Sequence, residues 1–373
     1  LNVRNRCMAP PLSLYTGKAR SYLIKSRLTY REVLPNSPHF EQTVLPKMGG
    51  RRSIPAIETA TDGIIRDGGA IIDYYESLNG NLFSPGTAKQ SIICKLFDVI
   101  GMEGLLRPAM YYRWNFDDFN RGFIQFHFET FVPSNLNKQE MASKRMNQMR
   151  EAGRSFGAIP ETFELVEKLY CDLLPKLNSH FAAHPYLLGN KPCIGDFGMI
   201  APLYGHLGRD PKPLSLMQDR AICLFRWVER MNRAEADIGE FPDQRDSYLE
   251  EDKVPDTLVE ILRHVAKDFV PETKAACNAI NEWLQAQENL TPNTPAERGA
   301  GMCTFIVEGQ SITALAQPYC FFLLKRVQDH YLALPSAEQA GVDSLLDACG
   351  MTEVMQLTLD REIGRLHNRE VWL

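Results

Sequence analysis

The residues best placed to do chemistry fall in two short blocks within the first eighty. Ser53-Ile54-Pro55-Ala56-Ile57-Glu58-Thr59 reads as a strand with a proline near its start. Proline has no N–H for a sheet ladder, so it is tolerated at a strand's first residue or in a tight, often cis, turn. An Ile54-Pro55 step held cis would leave the N–H and C=O of Ile54 free to pair, strand-like, with an extended peptide ligand. Arg66-Asp67-Gly68-Gly69 follows and opens a helix with an acidic residue. Other motifs give no support to rival chemistries. The eight histidines show no HExxH or paired metal spacing, the nine cysteines form no CxxC pair, and GxSxG, GxxxxGK[ST] and GxGxxG are absent. No metal is expected.

A small sheet must hold these blocks. Leu12-Ser13-Leu14-Tyr15 reads as a short apolar strand, and 18–27 as a helix through the spacing of Ala19, Tyr22, Leu23 and Ser26. Tyr30 to Val33 is a second strand, and Pro35 to Pro46 a loop with room for one helical turn. Ile54 to Thr59 and Gly63 to Arg66 then form a hairpin, with a helix over Gly68 to Leu78. The order βαβ then ββα is that of a thioredoxin-like domain. The turn residues from Asn79 to Gly86 make a linker. Beyond it, apolar residues recur at helical spacing over 89–110, 114–130, 138–156, 160–183, 196–207 and 213–232.

The last third differs. Pro255 to Phe269 and Pro271 to Glu288 read as two helices, each opened by a proline, and Leu290 to Gly301 as loop. Two short strands flank Glu308-Gly309, and helices are expected from there to the end. The expected fold class is α+β. Its three units are residues 9–80, thioredoxin-like, 87–245, all-helical, and 246–373, a mostly helical extension.

A second block, YLLGNKPCIGDFGMIAPLY from Tyr186 to Tyr204, is similar to the "YLLG-x-KPSIADF" segment that starts the central helix of the all-helical domain in the glutathione transferase family. Together with the strand-opening proline and the acidic residue that starts the next helix, it makes residues 10–232 resemble that family. The extension has no counterpart in an ordinary member. The resemblance implies a thiolate chemistry, because a free thiol with pKa about 8.5 is only slightly ionised at neutral pH. A member sets a hydroxyl or helix N-terminus beside the sulfur to stabilise its anion.

Carried onto this chain, the resemblance puts Thr16 where a Ser-type member has its hydroxyl. Two roles are open to Thr16, thiolate donor or simple helix N-cap, and Tyr15 is the competing donor. Ser13 is expected on the opposite sheet surface. Lys18 and Arg20 are placed to attract carboxylates, or are merely solvated. Ile54 and Pro55 would hold the cysteinyl backbone. Asp67 would meet the ligand's ammonium, and the helix N-terminus at Gly68 its γ-glutamyl carboxylate. Gly68 departs from the family, which has a Ser there, and lacks one hydrogen bond worth about 1 kcal/mol or more. Asp196 is expected as a capping-box residue after Cys193. Tyr111, Tyr112 and Trp114, with Arg113 and Phe116, either line an electrophile pocket or form bundle core with one solvated arginine.

A length of 373 residues, 44% hydrophobic and 23% charged, suits two or three packed globular units. A net charge of −5 argues against a nucleic-acid partner. No run is long and apolar enough to span a bilayer, and the scattered cysteines suit a reducing compartment. The expectation is a cytoplasmic, homodimeric enzyme that joins the thiolate of its co-substrate glutathione to an apolar small-molecule electrophile, or runs a related lyase or ether-cleaving reaction. The rival expectation is a binding or scaffold protein with a degraded glutathione site.

Overall fold

The first sheet has the strand order β2-β1-β3-β4. Its strands are β1 (Asn5–Met8), β2 (Tyr30–Val33), β3 (Ala56–Glu58) and β4 (Ile64–Arg66). β1 and β2 run parallel, joined by α1 (Leu14–Lys25), while β1, β3 and β4 pair antiparallel. A π-helical turn, Phe40–Val44, leads into the short α2 (Leu45–Lys47), and α3 (Gly68–Leu78) follows β4. This is the expected thioredoxin-like unit with one correction. The strand read at 12–15 lies at 5–8, ahead of residue 9, and Leu14 is already helical. Ser13 decides this locally, because its hydroxyl accepts the Thr16 N–H at 3.3 Å and caps α1. The structure, a computed structural model, describes residues 5–61, 63–235, 239–242 and 245–373.

Eight helices make the second unit: α4 (Ala88–Val99), α5 (Leu106–Trp114), α6 (Asp117–Glu129), α7 (Lys138–Arg154), α8 (Phe163–Ala183), α9 (Ile194–Gly205), α10 (Pro211–Arg220) and α11 (Ile222–Met231). Between α4 and α5 the chain makes a π-helical turn, Ile100–Gly104. α9 is buried almost throughout. It lies close to that turn because the facing residues are glycines: a Cβ on Gly101 would come within 2.2 Å of the Gly198 backbone. α1 packs on the other side of α9, and Ser21 donates to the Met231 carbonyl at 2.7 Å.

The extension is built into this frame. α12 (Asp256–Gln285) is one helix with Pro271 inside it, where two proline-opened helices were expected. β5 (Thr294–Pro295), β6 (Met302–Val307) and β7 (Gln310–Leu315) follow, then α13 (Pro318–Leu332), α14 (Ser336–Cys349), β8 (Ile363–Leu366) and β9 (Arg369–Trp372). β6 and β7 pair about Glu308-Gly309 as expected. The chain end does not stay helical: β8 and β9 form a hairpin whose turn residues, His367 and Asn368, both have positive φ (46° and 64°), the pattern of a type I′ turn. Asp252, just ahead of α12, accepts the Lys89 and Gln90 N–H groups at 2.9 Å and so caps α4 from more than 160 residues away.

Candidate active site

The N-termini of α1 and α3 meet beside the start of β3. A Cβ on Gly68 would lie 3.5 Å from both the Tyr15 carbonyl oxygen and Lys18 Cδ. Ile54-Pro55 is cis, as expected. Among the described residues the N–H and C=O of Ile54 have no hydrogen-bond partner, while Pro55 C=O accepts the Asp67 N–H at 2.9 Å. The half-exposed Ile54 therefore keeps both backbone groups free next to Pro55, whose carbonyl bonds the α3 N-cap residue.

The expected hydroxyls divide. Thr16 does not bridge a strand and a helix; it sits in the first turn of α1, fully buried, and its Oγ1 has no hydrogen-bond partner among the described residues. Tyr15 is half-buried. Burial and the nearby Glu103 and Asp67 charges push its phenol above the ordinary tyrosine value, with Arg298 pulling it partly back. It therefore remains an O–H donor at neutral pH. Ser13, expected on the far sheet face, stands at the helix N-cap instead.

Lys18 is not solvated. It is fully buried and its Nζ donates to Asp98 Oδ1 at 2.5 Å. Arg20 pairs with Glu32 through two nitrogens, one contact at 3.0 Å. Gly68 lacks a left-handed φ, and Lys18 methylenes fill the space beside it. Asp67 is the strained residue, with φ 88° and ψ 138°, a conformation that costs about 1–3 kcal/mol for a residue with a side chain. Its Oδ1 accepts the Gly69 and Ala70 N–H groups at 2.9 and 3.2 Å, capping α3.

The extension closes over this pole. Tyr319 donates its hydroxyl to Asp67 Oδ2 at 2.8 Å, and Arg365 stands 3.4 Å from Asp67 Oδ1. Arg365 also donates to Glu370 at 2.6 Å, and Arg66 binds the same carboxylate at 2.6 Å. Asn368 accepts the Arg66 N–H at 3.1 Å and donates to the Ile64 carbonyl at 2.8 Å, so the hairpin turn covers the edge strand β4. Burial raises the Asp67 pKa, but Arg365, Lys18 and Arg66 outweigh it and hold the carboxyl at about 2.

Glu103, which the sequence reading passed over, faces the same region from the π-helical turn. Gln317 donates to it at 3.0 Å. Burial, with the Glu272 and Asp67 charges, pushes it up to about 8 against Arg298 and Lys18. It lines a cavity with Phe269, Glu272, Leu315, Gln317 and Cys320. The only sequence signal was an acidic residue between glycines, GMEG, in an otherwise apolar helix.

The three aromatic candidates for a substrate pocket lie in the helical core. Tyr111 and Tyr112 are buried among Phe116, Phe163 and Tyr170, and Tyr111 donates to Glu167 at 3.1 Å. Trp114 belongs to a separate cluster with Leu12, Ile124 and Met146. Arg113 is buried rather than solvated and bonds Asp210 at 2.7 and 2.8 Å.

The strand order, the parallel β1/β2 pair and the helical unit built around α9 complete the expected architecture. A thioredoxin-like sheet followed by an all-helical unit is the fold class expected from the sequence. No protein-family model and no curated protein matches the chain. Solved structures do. The beta-etherase LigF from Sphingobium sp. is 15% identical over 65% of this chain and 100% of its own, with a TM-score of 0.42. A glutathione transferase from Phanerochaete chrysosporium is 16% identical over 62% of this chain and 97% of its own, at 0.43. A glutathione S-transferase from Methylobacterium radiotolerans, in complex with glutathione sulfonate, is 14% identical over 67% and 99%, at 0.36.

Proposed function

We propose that the chain is a glutathione-transferase-like enzyme that lays a thiol peptide along Ile54 and brings its sulfur to the Tyr15 hydroxyl. The observation that carries this reading is the unpaired backbone of Ile54 beside two helix N-termini. An extended peptide can satisfy both groups as an added strand. Tyr15, kept protonated by its surroundings, would donate to the thiolate, which then attacks an apolar electrophile. Ether cleavage by the same thiolate uses the same residues. Thr16, enclosed and unpartnered, supports the chemistry by shaping α1.

The test is calorimetric titration with glutathione, followed by turnover of an aryl electrophile by the wild type and Tyr15→Phe. Binding with turnover that falls at least tenfold in the variant supports the reading, and unchanged turnover removes Tyr15 from it. A second reading, a binding protein on this fold, is favoured by one observation: Tyr319 and Arg365 already engage Asp67. Silence toward glutathione and the electrophile together would support it.

A further inference from the structure

We propose that Tyr319 and Arg365 of the extension set the specificity of the thiol site. They convert its Asp67 end from a place for a cation into a place for an anion. The preferred co-substrate is then a thiol peptide that ends there in a carboxylate with no ammonium beside it. The inference rests on the thiol-peptide reading above and concerns only which peptide the site takes.

The charges around Asp67 carry it. A lone carboxylate at the end of a peptide-binding strip would attract an ammonium group. Here both oxygens are in use, Oδ1 by the Gly69 and Ala70 N–H groups and Oδ2 by the Tyr319 hydroxyl. An arriving ammonium would have to displace that hydroxyl and sit beside the Arg365 guanidinium. Around Glu370 and Asp67 gather Arg51, Arg66 and Arg365. Three guanidinium groups thus meet two carboxylates, an excess of one positive charge. Lys18 and Arg326 do not change the balance, because each has its own carboxylate, Asp98 and Asp73.

One donor in this cluster is left over. Arg365 Nε is buried and has no acceptor among the described residues, and a buried N–H of a charged group without an acceptor is costly. Glu370 takes the other end of the guanidinium, and the Phe322 ring lies 5.1 Å beneath it, so the group is fixed in place. A ligand carboxylate would satisfy that donor and neutralise the excess charge in one contact.

Glutathione and its deamino analogue, glutaryl-cysteinyl-glycine, differ only in the ammonium group. Their dissociation constants are to be measured by calorimetry on the full chain for the wild type, Arg365→Gln and Tyr319→Phe. We expect the wild type to bind the deamino peptide about tenfold more tightly, because both peptides bring the carboxylate and only glutathione must also place an ammonium beside the Arg365 guanidinium. Arg365→Gln should bring the two peptides close to parity, and Tyr319→Phe should shift the ratio the same way by a smaller factor. Tyr319→Phe keeps the ring against Phe322 and every ion pair, so it carries the test if Arg365→Gln melts early. Tighter binding of glutathione by the wild type, or one ratio in all three proteins, overturns the specificity and leaves the thiol site standing. Silence of both peptides on all three well-folded proteins overturns the thiol site itself.

Discussion

Asp196 at the start of α9 and Asp67 at the start of α3 do the same local work in opposite company. Asp196 is fully buried and accepts the Leu187 and Cys193 N–H groups at 3.1 and 2.9 Å and the Trp227 indole N–H at 2.9 Å. All its donors are neutral. Burial pushes its pKa up to about 6, against the pull of those three bonds. Asp67 has cations nearby and is held at about 2. Neutral donors fix the geometry of a buried carboxylate, whereas full compensation of its charge takes cations. The first carboxylate locks two segments of the helical unit together, and the second ties the extension to the candidate site.

The two should also respond to acid in opposite senses. The folded pKa of Asp67 lies below its ordinary value of 3.8. The unfolded chain therefore binds the proton first, and the stability this group contributes is present above pH 4 and lost as pH falls toward 2. The folded pKa of Asp196 lies above 3.8. There the native state holds the proton longer, and stability declines as pH rises from about 4 to about 6.

The largest effect that would break this comparison is expected from Lys18→Met. It removes a cation that helps hold Asp67 down and leaves Asp98 without its partner. Denaturant unfolding should show a loss of about 3–5 kcal/mol, as for other buried pairs broken on one side. A loss below about 1 kcal/mol would mean that solvent reaches Asp98 freely. Asp196→Ala comes next, because it orphans three buried donors and should cost about 3 kcal/mol. The decline in stability between pH 4 and 6 should vanish with it. A decline that persists belongs to another group.

Asp67→Asn is expected to cost less. Asparagine caps a helix as well as aspartate does, so the loss is that of the charge, about 2 kcal/mol at neutral pH. Wild type and variant should converge in stability near pH 2. Parallel curves down to that pH would show that Arg365 and Lys18 do not act on Asp67. Gly68→Ser should change least, within about 0.5 kcal/mol. Its φ is not left-handed, and the new Cβ would meet Lys18 and Tyr15 at ordinary contact distances. A large drop in melting temperature would show that α1 and α3 cannot part by even that amount.

What could be read from the sequence alone were features made by residues close together in the chain. The proline opening at Ile54-Pro55, the Asp67 helix start, the Cys193–Asp196 box and the Glu308-Gly309 turn each depend on interactions within a few residues, and all are present. Where local signals compete, the apolar pattern alone misleads. Leu12 to Tyr15 has the apolar content of a strand, yet the Ser13 cap makes it a helix start, while the true β1, Asn5–Met8, carries only Cys7 and Met8 as apolar residues. Pro271 looks like a helix opener, but a proline interrupts only one backbone bond, and the packing of α12 carries the helix through it. The site itself was decided by tertiary structure. Lys18 meets Asp98 80 positions on, and Asp67 meets Tyr319 252 positions on. No local periodicity records a charge that arrives from so far along the chain. The sequence alone therefore determined the proline step at Ile54-Pro55 and the helix start at Asp67, and only the folded extension decided which charges surround that carboxylate.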